Sequence, residues 1–114
     1  MFYDFTQPIT NMNGEVLSET DKPVSEGGIP ATFGSTCVTA LIRTYPGDET
    51  VSGKVKVERF MLAQKINGAK LPVKITNEDV VMIKELCAKG YGTLVYGRIA
   101  ELFDKPCPEQ KAAA

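Results

Sequence analysis

The chain has 114 residues, 43% of them hydrophobic, with thirteen basic and fourteen acidic side chains and no histidine. That length suits one domain with a real core, and the near-neutral charge argues against a general nucleic-acid binder. The missing histidine removes the commonest general base, the commonest metal ligand and every Ser-His or Cys-His nucleophile pair.

The charge is unevenly spread. Residues 1–42 carry five acids and one base, 43–74 carry seven bases and three acids, and 75–114 carry five bases and six acids. Such a chain can present a basic face while staying near neutral overall. No apolar run approaches the length of a membrane span. The first ten residues lack the basic and apolar regions of a secretory signal. Both absences lead us to expect a cytosolic protein, though a virion component would read the same way. Of three cysteines, Cys37 and Cys87 sit among apolar neighbours and read as small hydrophobes. Cys107, between two prolines, reads as an exposed thiol.

Residues 1–18 are expected to form a β-hairpin. Phe2–Phe5 and Glu15–Leu17 are its strand-like pieces, Asn13-Gly14 its turn, and Pro8 marks the first strand as interrupted or at an edge. Residues 19–31, rich in turn formers and acids, read as a loop. A first helix is predicted from Thr32 to Thr44, with Phe33, Cys37, Ala40 and Leu41 on its apolar face. A second, Gly53 to Ile66, has Ser52 as N-cap, a stripe of Val55, Leu62 and Ile66 with Phe60 and Ala63 beside it, and Asn67-Gly68 as its stop.

The stretch from Ile75 to Asp104 carries the strongest local signals. Thr76 and Asp79 have the spacing of a capping box, and Ile75 and Val80 that of a hydrophobic staple. The third helix then runs from Asn77 to Lys89, burying Val80, Ile83 and Cys87, with Gly90 in the left-handed position after it. Tyr91 to Phe103 balances strand propensity at Thr93–Tyr96 against a helical stripe of Tyr91, Val95, Ile99 and Leu102. Helix is favoured, with Gly97 letting a neighbouring helix approach. Residues 105–114 read as a flexible tail. The expected fold is thus mainly α with a small N-terminal β-hairpin (α+β), a compact bundle of about four helices over residues 32–104.

Catalytic signatures are lacking. The carboxylate pairs Asp48-Glu49 and Glu78-Asp79, and the pair Glu101 and Asp104, do not suggest a hydrolase site. Glu78 and Asp79 sit in a first helical turn, where acids complement the dipole. Gly90-Tyr91-Gly92 matches neither phosphate-loop pattern. No catalytic residue, cofactor or metal is assigned. Two surfaces are candidates for binding. Tyr91, Tyr96, Arg98 and Phe103 give the last helix an aromatic character suited to a protein partner. Lys54, Lys56, Lys65, Lys70 and Lys74 form a basic segment that could meet a nucleic-acid backbone, though a solvated helix face is the commoner meaning.

Ser52-Gly53-Lys54, Arg59-Phe60 with Ala63-Gln64-Lys65-Ile66, and Tyr91-Gly92 with Gly97-Arg98 give residues 30–104 a pattern that resembles small, largely uncharacterised proteins of tailed bacteriophages and prophages. The resemblance transfers no catalytic residue. It implies a non-enzymatic protein-interaction role in the host cytoplasm or virion. That role would be tail or head-tail assembly, for example as a tail-assembly chaperone, or binding and inhibition of a host protein. A nucleic-acid accessory factor using residues 54–74 is the further alternative.

Overall fold

The computed structural model describes residues 1–109; the last five residues of the expected tail lie outside the described residues. Four helices carry the architecture: α1 (Phe33–Ile42), α2 (Gly53–Ile66), α3 (Asn77–Gly90) and α4 (Thr93–Phe103). Two short strands, β1 (Phe2–Tyr3) and β2 (Val73–Lys74), pair antiparallel, Phe2 opposite Lys74 and Tyr3 opposite Val73. The fold is therefore mainly α with a small β part, as the periodicities require.

An N-terminal hairpin is present, folded about Asn13 and Gly14, and Gly14 takes φ +83°. Asn11 N–H donates to Glu15 O at 2.8 Å and Leu17 N–H to Ile9 O at 2.8 Å. Phe2 and Tyr3, expected as its first strand, pair with β2 instead. The Tyr3 ring is buried there and meets Phe103 edge-on at 5.2 Å. Residues 19–31 are also more ordered than a plain loop. Glu19 N–H donates to Ile29 O, Ala31 N–H to Leu17 O and Ile9 N–H to Ala31 O. The three segments thus close on one another through backbone bonds, which leaves few open edges.

Helix ends follow local chemistry. Thr32 and Ser35 form a reciprocal capping box at the start of α1. At α3 only half of the expected box exists: Thr76 Oγ1 accepts from Asp79 N–H at 3.1 Å, and Asp79 makes no return bond to Thr76, its carboxylate being short of the reach that Glu has. α1 stops at Ile42, two residues before the expected end. Arg43 turns to extended backbone, which lets Tyr45 fold its ring into the core and donate to Ala40 O at 2.7 Å. Gly68, at φ +70°, closes α2 in the left-handed position.

The core joins all four helices and the hairpin. Phe33, Cys37, Ile66, Ile75, Ile83, Cys87 and Ile99 are all but sealed from solvent. Phe33 and Phe103 meet edge-on with ring centres 4.8 Å apart, a favoured aromatic geometry. Gly34 is required where it stands: a Cβ there would lie 3.0 Å from the Phe5 carbonyl oxygen.

Two glycine assignments need correction. Gly90 is not left-handed; it ends α3 in ordinary helical backbone. Its role is a close approach, since a Cβ would sit 2.7 Å from Arg43 Nη1 and 3.1 Å from the Tyr45 hydroxyl. Gly97, expected at a helix–helix contact, faces open space, with no heavy atom within 4 Å of where its Cβ would be. At the C-terminal side, Cys107 N–H donates to Phe2 O at 2.9 Å. The chain is therefore tied down beyond residue 105, where a free tail was expected.

Candidate interaction surface

Helix α2 has apolar residues on two opposite faces. Leu62, Ala63 and Ile66 are buried against the core. The helical turn of 100° per residue places Val57, Phe60 and Met61 on the far side, where they are 58%, 54% and 60% exposed. Ile42, the last residue of α1, is 62% exposed and lines one cavity with Phe60 of this ridge. A helix apolar on both sides is normally covered on both sides, and among the described residues nothing covers this one. Phe60 was expected beside the buried stripe. It is exposed because the core reaches only the face carrying Leu62 and Ile66.

Lysines flank the ridge. On the helical wheel Lys56 lies on one side of it, and Lys54 and Lys65 lie on the other with Glu58 beside them; all four are exposed. A cavity of about 280 Å³ opens at the ridge's edge between the end of α1 and α2, lined by Ile42, Arg43, Asp48, Lys56, Arg59 and Phe60 among others. Arg59 lies on the core-facing flank, and its Nη1 pairs with Asp48 Oδ1 at 3.4 Å. Its Nε is buried without a hydrogen-bond partner. Asp48 Oδ2 also accepts from Tyr45 N–H at 2.8 Å. That backbone bond, followed by Arg59 and Lys56, holds the Asp48 carboxyl below the usual carboxylate value. One acid among three bases leaves the cavity positive.

The aromatic surface expected on the last helix is largely used internally. Phe103 is 4% exposed and belongs to the core aromatic cluster, so it cannot serve as a partner contact. Arg98 ties the hairpin to α4: its Nε donates to Thr10 O at 3.0 Å and its Nη2 to Asn11 O at 2.8 Å. Glu101 pairs with Arg98 Nη1 at 3.2 Å. Tyr96 is half-buried against the core. Tyr91 lines a second cavity, of about 450 Å³, between the hairpin unit, α1 and α4. The Arg43 guanidinium lies over the Tyr91 ring, 4.9 Å from its centre. Burial pushes the Tyr91 hydroxyl above its ordinary value, with Arg43 opposing.

The five lysines of the basic segment are all exposed. Lys65 Nζ donates to Lys74 O, which brings α2 and β2 together. Among the described residues no group of three Cys, Asp or Glu side chains is placed to hold a metal ion. No helix among them is long and apolar enough to cross a membrane.

No protein-family model matches the chain, and neither does any curated protein or solved structure. The functional reading therefore stands on this surface.

The ridge Ile42, Val57, Phe60 and Met61 was missed in the sequence. The signal was there: three apolar residues spaced 57, 60, 61 repeat the helical period on the side of α2 that its own core stripe does not use.

Proposed function

We propose that the protein is a non-enzymatic protein-interaction module that docks a partner on the outer face of α2. The observation that carries this reading is the exposed ridge of Val57, Phe60 and Met61, extended by Ile42. Contiguous exposed apolar side chains rimmed by polar ones mark partner surfaces. The resemblance to proteins of tailed bacteriophages and prophages supports a place in particle assembly, in the host cytoplasm or the virion. Binding to a host protein is the alternative with the same surface.

Magnitudes limit what the ridge does alone. Covering the exposed half of each of its four side chains is worth on the order of 1 kcal/mol apiece. Association itself costs at least about 4 kcal/mol, so the flanking charges or further surface must contribute. The lysines supply both steering and register for an acidic partner.

The test is co-expression of the full chain with the products of its neighbouring genes, in wild-type form and as Phe60→Asp. A stoichiometric complex that Phe60→Asp loses is expected. A complex indifferent to Phe60→Asp removes the ridge from the reading, and the absence of any complex counts against the module. Nucleic-acid binding through Lys54, Lys56, Lys65, Lys70 and Lys74 would show as a gel shift that weakens steeply with salt, lost in Lys54→Glu/Lys65→Glu and kept in Phe60→Asp.

A further inference from the structure

We infer that the partner covering α2 is the acidic N-terminal unit of a second copy of this chain, so that the protein associates head to tail. The inference rests on the interaction-module reading and names its occupant. Residues 1–42 carry a net −4 and residues 43–74 a net +4. Glu19 and Arg43 line one cavity, while Lys54, Lys56 and Lys65 stand on α2. Glu15, Glu19, Asp21 and Glu26 are all exposed on the hairpin and the loop that follows it. This unit docks on α1 and α4, through the Phe33 N–H to Gln7 O bond and through Arg98. The lysines frame the outer face of α2, which points away from the core.

The acidic unit is also apolar at its surface. Met12 is 82% exposed and Ile29 56%. The 2.7 Å bond from Glu19 N–H to Ile29 O joins the backbones of an acidic and an apolar residue, both exposed. α2 likewise combines exposed apolar and charged residues, with the charge reversed, Phe60 and Met61 standing beside Lys56, Lys54 and Lys65. A foreign acidic protein would account for the lysines and the ridge, yet it would leave Met12 and Ile29 uncovered. A second copy covers both surfaces with one interface. Pairing α2 with another α2 would set lysine against lysine, which like-charge repulsion disfavours. In a single chain both surfaces stay exposed, so they do not meet within it. The contact is therefore heterologous, and repeating it builds a ring or a filament.

Sedimentation of the full chain tests this, comparing the wild type with Phe60→Asp and with Glu19→Lys/Ile29→Lys. Both substitutions are at exposed positions, and an unchanged circular dichroism spectrum establishes that each variant folds. The wild-type average mass is expected to rise with concentration at low salt and to fall back toward the monomer at high salt. Each variant stays monomeric alone. Mixed in equal amounts they form a dimer and nothing larger, since each keeps one intact surface. A wild type that stays monomeric up to about 1 mM, where even a weak contact with Kd in that range shows, overturns self-association. In that case a neighbouring-gene complex sensitive to Phe60→Asp leaves the module reading standing, and its absence removes both. Association retained by Glu19→Lys/Ile29→Lys but lost in Phe60→Asp means that α2 pairs with itself, and the inference falls. So does a mixture that remains monomeric.

Discussion

Gly97 and Gly90 both lie in helical backbone, and replacing each by alanine is expected to act with opposite sign. Gly97 is in the interior of α4, its φ is not positive, and no heavy atom lies within 4 Å of an added Cβ. Alanine there restricts the unfolded chain without meeting a neighbour, a gain of about 0.8–1.0 kcal/mol. For a domain of this size that is a rise of about 4 °C in Tm. At Gly90 the same Cβ would come within 2.7 Å of Arg43 Nη1 and 3.1 Å of the Tyr45 hydroxyl. Arg43 can swing away, but it then loses its 2.6 Å bond to Gly90 O. Tyr45 is buried and anchored on Ala40 O, so it cannot yield without breaking that bond. Losing the first bond, discounted for its exposure, and straining the second costs roughly 2–3 kcal/mol. The propensity gain, smaller at a helix end, offsets less than about 1 kcal/mol. Gly90→Ala should therefore lose about 1–2 kcal/mol net. Urea and thermal unfolding followed by circular dichroism read both variants. A Gly97→Ala protein less stable than wild type would show that something packs on Gly97 after all. A stabilised Gly90→Ala would remove the close approach of Arg43 and Tyr45 from the account of α3.

The hairpin should depend on Arg98. Arg98→Ala removes two charge-assisted bonds to Thr10 O and Asn11 O and should cost about 1–3 kcal/mol, with faster hydrogen exchange at Asn11 and Leu17. Arg98→Lys should not restore it, because one ammonium cannot span two carbonyls as the guanidinium fork does; full rescue by lysine would refute that geometry. Thiol chemistry should divide the cysteines: a reagent at pH 8 labels half-buried Cys107 in the native protein and reaches Cys37 and Cys87 only on unfolding, both being sealed in the core. Burial holds the Cys37 thiol well above its ordinary value, while its hydrogen bond lowers the neighbouring Cys87 thiol, so the two oppose each other in any alkaline dependence of stability. At the other end Asp4, held low chiefly by the Thr6 hydroxyl, and Asp48, held low by the Tyr45 N–H, contribute stability that is lost as pH falls through about 3.9. A urea midpoint that is flat on acidification below pH 4 would contradict the two aspartate assignments.

What the sequence determined by itself is what short-range bonds decide. Ser52 capping α2, Thr76 capping α3 and Gly68 closing α2 each depend on groups within three or four residues, so residue type and spacing suffice to place them. The inward stripes of α1 and α3 follow from the helical period for the same reason. The tertiary structure decided everything that depends on which face a distant segment covers. Phe2 and Tyr3 are strand-like in sequence, but only folding brings Val73 and Lys74 beside them. Phe60 and Phe103 both sit in apolar helical patterns, yet one is 54% exposed and the other 4%. The difference is that α1, β1 and the hairpin unit close over the end of α4, while among the described residues nothing closes over the outer face of α2. Propensity and period say that a residue is apolar and helical. Whether it becomes core or surface depends on how many elements the chain has left to bury it, and among the described residues α2 is left with one face uncovered.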